Sequence, residues 1–427
     1  MVVHIVRLLL MALLLVAAAI GVLFITRGTA LRRVRGVGAD AAPVGAGEPD
    51  FLGTVSLLAG GVILPGNRVE LALNGDGTYE RLWADLRAAK ETITVQMYYA
   101  QPGKVADELR KILVERAWAG IQVFVLFDAF GANAIKRSYW TALRNAGARV
   151  VAFRPLRFRN LWVVQNRAHI RGIVIDRRIG WTGGFGIDDK WLGDGHINLA
   201  WRDTNVRFEG PAVHQLQAAF VAAWAESTGE LFSGRMPIVQ CEGGVTAAGL
   251  LATAPTLGST PAERYLALSI AGARERLYIT NAYFAPDRNF VGLLTNAASR
   301  GVDVRVLVGG PLTDVRMARL AAHSRYDRLL AGGVRVYEYM PSTLHAKTFV
   351  VDGQWTSVGT MNFDNRSLAL NDESTLMVLD KSFGTHMESV FHDDLTRSEE
   401  ISLEEFRKRS RLVRVAEWGA NLLAPVL

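Results

Sequence analysis

The sequence predicts an α/β protein: two homologous α/β lobes packed about a pseudo-two-fold axis, preceded by an N-terminal transmembrane helix. Three observations predict it. The stretch Leu344–Ser367 has an internal copy at Ala168–Asp188. Strand-like and helix-like segments alternate before each copy, as in a layered α/β sheet. And Leu8–Ile25 carries no charge, enough as a helix for about 27 Å of a bilayer core.

The duplicated stretch comes first because it organises the rest. His345, Lys347 and Asp352 form a His-x-Lys-x4-Asp pattern on a segment that reads as a strand through Phe349, Val350 and Val351. Residues two apart share a strand face, so His345 and Lys347 point the same way. Asp352-Gly353 signals a turn, and Gly359-Thr360-Met361-Asn362 returns small and polar residues to the same end. With His169 set under His345, the copy aligns without a gap. Arg171 falls under Lys347, Asp176 under Asp352, Gly183 under Gly359 and Asp188 under Asp364. Asp176 and Asp352 belong to the two motifs, but their odd spacing from His sets them on the opposite strand face. They read as structural ties for the turn after each strand.

In chain order, residues 1–26 are the expected anchor. Arg7 precedes the apolar run, and Arg27, Arg32, Arg33 and Arg35 follow it; this excess favours a cytoplasmic C-terminal side. The alternative is a cleaved signal peptide with core Leu8–Val16 and small residues Ala17-Ala18-Ala19. The apolar residues Val22–Ile25 beyond that point favour the uncleaved anchor. Residues 27–50, with the Gly- and Ala-rich Gly36–Pro49, read as a linker.

The first lobe is expected over 51–235. Helices are predicted at Tyr79–Ala89, Lys104–Ala119 and Trp140–Asn145, and strands at Ile93–Tyr99, Gln122–Phe127 and Arg149–Phe153. The second lobe, 236–400, repeats the plan. Its helices are predicted at Ala262–Ala273, Asn289–Ser299 and Arg316–Ala331, its strands at Leu277–Tyr283, Val302–Val308 and Val334–Tyr339. Smaller echoes support duplication: Tyr99-Ala100-Gln101-Pro102 answers Tyr283-Phe284-Ala285-Pro286, and Ala119-Gly120-Ile121 answers Arg300-Gly301-Val302. The stretch Ser233–Thr260, rich in Gly, Ala and Thr, reads as the connection. In 401–427, Ser402–Glu405 resembles a capping box. The helix it would open is amphipathic. Arg407, Lys408, Arg409, Arg411 and Arg414 form a basic face, and Leu412, Val415, Trp418 and Leu422 an apolar one. It packs on the body or lies on a membrane surface.

Composition narrows the function. A net charge of +7 favours an anionic partner. Cys241 is the single cysteine, so no intrachain disulfide forms, and the eight histidines include no HExxH or paired His/Cys spacing. No metal or other cofactor is expected. His392-Asp393-Asp394 reads as a solvated helix end.

Two homologous halves can bring both motif strands to one site, with two imidazoles and two cations around one substrate. A phosphodiester fits. One His attacks phosphorus, the other protonates the leaving oxygen, and an acceptor then attacks the phosphohistidine. Imidazole suits both roles because its ordinary pKa of about 6.5 lies near working pH. Arg171 and Lys347 would stabilise charge on the phosphoryl oxygens, with Asn362 as a further donor. Asp203 and Glu373 are candidate acceptors for the second imidazole nitrogens.

These motifs resemble the phospholipase D superfamily, and within it the bacterial cardiolipin synthases, from about Tyr79 to Asp380. The resemblance rests on His169/Arg171/Asp176 and His345/Lys347/Asp352. It extends to Gly183-Gly184, Trp201-Arg202-Asp203, Glu209-Gly210-Pro211, and Gly359–Ser367 with Asn371 and Glu373. It implies a bilobal fold and a metal-independent phosphohistidine mechanism. It implies transfer of a phosphatidyl group to the hydroxyl of another phospholipid, typically phosphatidylglycerol, with release of glycerol. By this resemblance His169 is the nucleophile, His345 the acid, and Asp203 and Glu373 orient the imidazoles. Asn362, Thr360 and Gly184 are the expected substrate-binding residues. Arg171 departs from the family's Lys and is not equivalent to it; Gly186 departs from its usual Asn.

Phospholipids and a membrane are therefore the expected partners, at the bacterial inner membrane with the catalytic region on the cytoplasmic side. Nucleic acid is not expected. The same-fold alternative is a phospholipase D that uses water. Others are a nuclease, since DNA is also a phosphodiester, and a non-catalytic lipid-binding relative disabled by Arg171 and Gly186. Arg154, Arg157, Arg159 and Arg167, mixed with Phe153, Phe158, Leu161 and Trp162, read as a lipid headgroup entrance or as a solvated basic loop, and the former argues against a nucleic-acid groove.

Overall fold

In the computed structural model the described residues are 2–26, 34–38, 42–155, 166–197, 199–232, 237–255 and 259–423. The first lobe supplies strands β1 (Leu64–Leu73), β2 (Thr92–Met97), β3 (Gln122–Asp128), β4 (Arg149–Phe153), β5 (Gly172–Ile175), β6 (Ile179–Gly183) and β7 (Thr204–Glu209). The second supplies β8 (Thr246–Thr253), β9 (Arg276–Asn281), β10 (Asp303–Gly309), β11 (Arg335–Tyr339), β12 (Lys347–Val351), β13 (Trp355–Gly359), β14 (Glu373–Leu379) and β15 (Ser398–Glu400). All join one 15-stranded sheet in the order β15-β11-β10-β9-β12-β13-β14-β8-β1-β7-β6-β5-β2-β3-β4. Read outward from the β8–β1 seam, both halves have the same order; β15 is an addition at one edge. The duplication seen in the motifs thus extends to the whole topology.

Strands β5 and β12 are buried along their whole length. They read as apolar runs rather than alternating ones because helices cover both faces. Each lobe has its own core. A third cluster lies across the seam, where Val206, Phe208 and Leu216 of one lobe meet Val350, Val358 and Leu376 of the other.

Predicted and observed elements agree in kind, with instructive exceptions. The helix expected from Tyr79 begins at Asn74. The segment read as a connection contains β8, which pairs with β14 and β1 at the middle of the sheet. Its sequence, Thr-Ala-Ala-Gly-Leu-Leu-Ala-Thr, lacks the β-branched residues that announce a strand. Small residues are required instead: a Cβ on Gly249 would stand 2.1 Å from the Val62 carbonyl oxygen. β1 is not among the expected strands; it carries Pro65 and Gly66, and its pairing with β8 shifts register there. Helix Phe51–Ala59 lies in the second lobe's core, with Phe51 against Trp355 at 5.2 Å. The described part of the expected linker also packs there, and Ala46 N–H donates to the Gly272 carbonyl at 3.0 Å.

The motif histidines are not on the strands. His345 stands two residues before β12 and His169 three before β5, each in a segment pinned to the opposite lobe. His345 N–H donates to the Arg202 carbonyl (2.7 Å) and Arg202 N–H to the Thr343 carbonyl (2.9 Å). The symmetry mate is Asp372 N–H on the Arg167 carbonyl (2.9 Å).

Val2–Thr26 is helical. Its described side chains run from His4 to Ala19, with Gly21, and among the described residues no helix is long and apolar enough to cross a membrane. The expected C-terminal helix is two, Leu403–Arg407 and Arg411–Leu423. Ser402 makes no side-chain cap bond. The second helix packs on helix Arg316–Ala331, with Glu417 3.4 Å from His323. Its apolar stripe faces outward: Leu412, Val415 and Trp418 are 83%, 64% and 61% exposed. Leu422's side chain lies outside the described residues, as do Arg27, Arg32, Arg33 and the segment holding Arg157, Phe158, Arg159, Leu161 and Trp162.

Asp176 and Asp352 sit in the turns after β5 and β12, each with positive φ (52° and 50°). Each gathers three backbone N–H groups. Asp176 takes those of Lys90, Glu91 and Thr92 (2.7–2.9 Å), and Asp352 those of Arg274, Glu275 and Arg276 (2.8–2.9 Å). A charged acceptor on several amides is a strong tie. Asp352→Ala is expected to destabilise the fold by on the order of 2 kcal/mol in denaturant titration, while the folded fraction keeps its activity. A loss of turnover without loss of stability would contradict this structural role.

Candidate active site

The pinned segments bring both histidines to one cavity of about 410 Å³, lined also by Tyr98, Tyr99, Arg171, Lys190, Trp191, Trp201, Tyr283, Asp314, Asn362, Asp364 and Ser367. Each imidazole is held by the carboxylate of the opposite lobe. His169 Nδ1 lies 2.8 and 3.0 Å from the two oxygens of Glu373. His345 Nδ1 lies 2.8 Å from Asp203 Oδ2. An ionised carboxylate only accepts, so each Nδ1 carries the proton and each Nε2 keeps its lone pair.

The carboxylates are themselves fixed. Glu373 accepts from Thr360 Oγ1 (2.5 Å) and Asn371 Nδ2 (3.3 Å). Asp203 accepts from Trp191 Nε1 (2.8 Å) and Thr204 N–H (2.8 Å). Neighbouring Arg202 forms a buried two-pronged pair with Asp394, both contacts 2.8 Å. Asp394 is therefore a buried anchor for the Asp203 segment and not part of a solvated helix end. In the matching place Asp372 pairs with Arg154 at 3.2 Å.

The cations differ. Arg171 is in the cavity wall; one guanidinium nitrogen donates to the Gly184 carbonyl, and Nε has no hydrogen-bond partner among the described residues. Lys347 is not in the wall. Its ammonium donates to the His345 carbonyl and lies 5.5 Å from the Tyr283 ring. Two of the expected substrate-binding residues also stand behind the wall. Thr360 is fully buried on Glu373, and a Cβ on Gly184 would stand 2.1 Å from Asp203 Oδ1, so a bare backbone is needed there. Asn362 does line the cavity, its Nδ2 3.4 Å from Ser367 Oγ and its Oδ1 unpartnered among the described residues. The Gly186 departure has a local cause. A side chain there would meet the Trp191 ring at 2.6 Å, and Trp191 is the residue that holds Asp203.

Burial and Lys347 hold the His345 imidazole well below its ordinary value. Burial also lowers His169, against the pull of Glu373. Both imidazoles are therefore neutral near pH 7. Burial brings Lys347 down to about 7, against the attraction of Asp203. It brings Lys190 to about 8, against Asp188 and Asp314. For Asp203 burial pushes upward, but His345 and Lys347 outweigh it and bring the carboxyl down to about 2.

Sequence reasoning missed Tyr98, 5.0 Å from His169 between ring centres, and Lys190 and Trp191. The signal available was the gapless alignment, which sets Lys190 against Arg366 and Trp191 against Ser367. Among the described residues no group of three or more His, Cys, Asp or Glu is placed to hold a metal.

A family profile described as cardiolipin synthase, PLD-like domain, matches residues 82–224 and 266–395. Cardiolipin synthase A of Pseudomonas putida (strain GB-1) is 34% identical over 366 residues, 85% of this chain and 76% of that one. Cardiolipin synthase A of Pseudomonas syringae pv. syringae (strain B728a) is 35% identical over 367 residues, with the same coverage. The crystal structure of phosphatidylserine synthase from Haemophilus influenzae Rd KW20 is similar in fold, with a TM-score of 0.66 at 15% identity. The match covers 88% of this chain and 99% of that one. Polyphosphate kinase from Porphyromonas gingivalis matches with a TM-score of 0.53 at 13% identity, over 79% of this chain and 49% of that one. On the extent of these matches, the chain belongs to the cardiolipin synthase family of phospholipase D-like proteins.

Proposed function

We infer that the protein is a phosphatidyltransferase of the cardiolipin synthase type, moving a phosphatidyl group between phosphatidylglycerol molecules through a phosphohistidine. The observation that carries this reading is the pair of histidines in one cavity, each oriented through Nδ1 by a carboxylate. His169 Nε2 attacks phosphorus. The ester bond breaks and the leaving glycerol oxygen takes a proton from His345. The hydroxyl of a second lipid then gives its proton to His345, attacks phosphorus and breaks the P–N bond. Each histidine ends as it began.

The acid role requires a proton that the neutral His345 lacks. The phosphodiester supplies the reason to acquire one. Its negative charge counters the burial, and the Lys347 and Arg171 charges, that hold His345 down, so proton uptake accompanies substrate binding. Arg171 offers its free Nε to a phosphoryl oxygen, and Lys347 acts from beneath through the field.

Two further parts belong to the same reading. Leu8–Ile25 serves as a single membrane anchor at the bacterial inner membrane, with the two catalytic lobes on the cytoplasmic side. The outward stripe of Leu412, Val415 and Trp418, flanked by Arg411 and Arg414, rests on the bilayer surface. The expected consequence is quenching of Trp418 by brominated acyl chains in reconstituted vesicles, seen as a difference between wild type and Trp418→Phe. Equal quenching in both would remove the stripe from the membrane.

Product analysis in phosphatidylglycerol vesicles tests the activity. Wild type should yield cardiolipin plus glycerol, while His169→Ala and His345→Ala lose at least about three orders of magnitude in rate, in keeping with lost nucleophilic and acid–base catalysis. Phosphatidic acid in place of cardiolipin would make the enzyme a hydrolase. No lipid turnover would sink the reading.

The pH dependence follows from the shifts. His169 must be neutral to attack, so kcat/KM rises with pH along a limb below the ordinary 6.5. Lys347 must be charged, so it falls as pH passes about 7. Lys347→Met should lower the rate and shift the alkaline limb, which persists because His345 must still take up a proton to act as acid. A profile flat from pH 6 to 8 would contradict these assignments.

A further inference from the structure

The turn after β6 carries an aromatic box that already contains a cation. The Lys190 ammonium lies 3.8 Å from the Trp201 ring centre, 4.0 Å from Tyr99 and 4.8 Å from Trp191. Asp188 stands 3.8 Å away on the carboxylate side. The rings are inclined like walls, Trp191 to Trp201 by 58° and Tyr99 to Trp191 by 62°. Such a box with one carboxylate is what binds a quaternary or primary ammonium ligand.

The box is rigid and well placed. Asp189, next to Lys190, caps the helix Lys104–Trp118 by accepting the N–H groups of Lys104 and Val105 at 3.0 and 2.9 Å. Trp191 is fixed by its bond to Asp203. Trp201 and Trp191 lie 5.1 and 5.3 Å from the ring of His345. The box therefore opens beside the histidine assigned to protonate the leaving oxygen, where the headgroup alcohol of the donor, and then of the acceptor, must sit. The second lobe has no counterpart, since Ser367 stands where Trp191 does.

We propose that this box is a headgroup-selecting subsite, in which Lys190 occupies the place of an ammonium and so excludes choline- and ethanolamine-type headgroups in favour of uncharged polyol ones. The proposal rests on the phosphatidyltransferase reading for its substrate, but the box can be tested without turnover. A polyol headgroup brings hydroxyls that the Lys190 ammonium can meet as donor; a second cation meets like charge in a filled space.

The experiment uses the full chain reconstituted in vesicles, with Lys190→Ala, Lys190→Gln and Lys190→Arg. Tetramethylammonium is the first probe, read by tryptophan fluorescence. Lys190→Ala should bind it at least about tenfold more tightly than wild type, because three rings and Asp188 become available. Lys190→Arg should stay closed like wild type. Equal affinity in wild type and Lys190→Ala overturns the proposal, whatever the enzyme's activity. The second readout is kcat/KM on phosphatidylglycerol against phosphatidylcholine. The ratio should fall at least about tenfold in Lys190→Ala and Lys190→Gln and return towards wild type in Lys190→Arg. A ratio unchanged within about twofold in all three also overturns it. Wild type inactive on phosphatidylglycerol, with the tetramethylammonium difference present, would refute the transferase reading and leave the box standing.

Discussion

The crossed pairing of each histidine with a carboxylate of the other lobe is the constraint on which the rest of the architecture depends. His169 needs Glu373, and His345 needs Asp203. Neither lobe alone contains a working histidine. The fold accordingly places the histidines outside the regular strands. Two short parallel bridges, Ala168 with Asp372 and Arg202 with Leu344, stitch each His-bearing segment to the acid-bearing segment opposite. The seam strands β1 and β8, built from small residues where backbones come close, let the two half-sheets merge into one. A continuous sheet transmits register across the seam, so the distance between the two histidines is set by hydrogen bonding rather than by docking of separate domains.

That geometry carries an electrostatic burden. His169, Arg171, Asp203, His345, Lys347 and Glu373 are all buried, and uncompensated burial of a single ion costs several kcal/mol. The site meets this by pairing. Asp203 faces His345 and Lys347, Arg202 is answered by Asp394, and Arg154 by Asp372 and Glu226. The compensation for the reactive groups is left incomplete. The imidazoles are held neutral and Lys347 close to losing its proton. An anion entering the cavity relieves that imbalance, so substrate binding is favoured by the same desolvation that perturbs these groups.

How much of this was legible in the sequence follows from the range of each signal. The motifs were legible because they are local and occur twice; two copies of His-x-basic-x4-Asp also implied the symmetric fold. The odd spacing of Asp176 and Asp352 separated them from the reacting face, and the turn clamps are consistent with that reading. The partner of each histidine was not legible from spacing, because it lies in the other lobe. The central strand β8 was hidden for a different reason: close backbone approach selects Gly and Ala, which imitate a linker. Thr360 and Gly184 illustrate the limit of motif transfer. Both are in the site's framework, but one holds a carboxylate and the other makes room for one.

The departures in the first motif become intelligible as one local rearrangement. Trp191 fills the space a side chain at 186 would need, fastens Asp203 and lies 5.6 Å from the Arg171 guanidinium. A planar guanidinium can stack on an aromatic face where an ammonium is a point charge, so Arg171 fits the company of Trp191. The second half has Lys347, Asn362 and Ser367 in the matching places and no aromatic wall. Duplication supplied two equal halves, and this rearrangement makes them unequal. A transferase that runs one reaction through a nucleophile and an acid needs that inequality, since the histidines themselves, with equivalent carboxylates, provide little of it. The difference between the roles is carried by what surrounds each ring: Tyr98 beside His169, and Tyr283 with two tryptophans next to a caged ammonium beside His345.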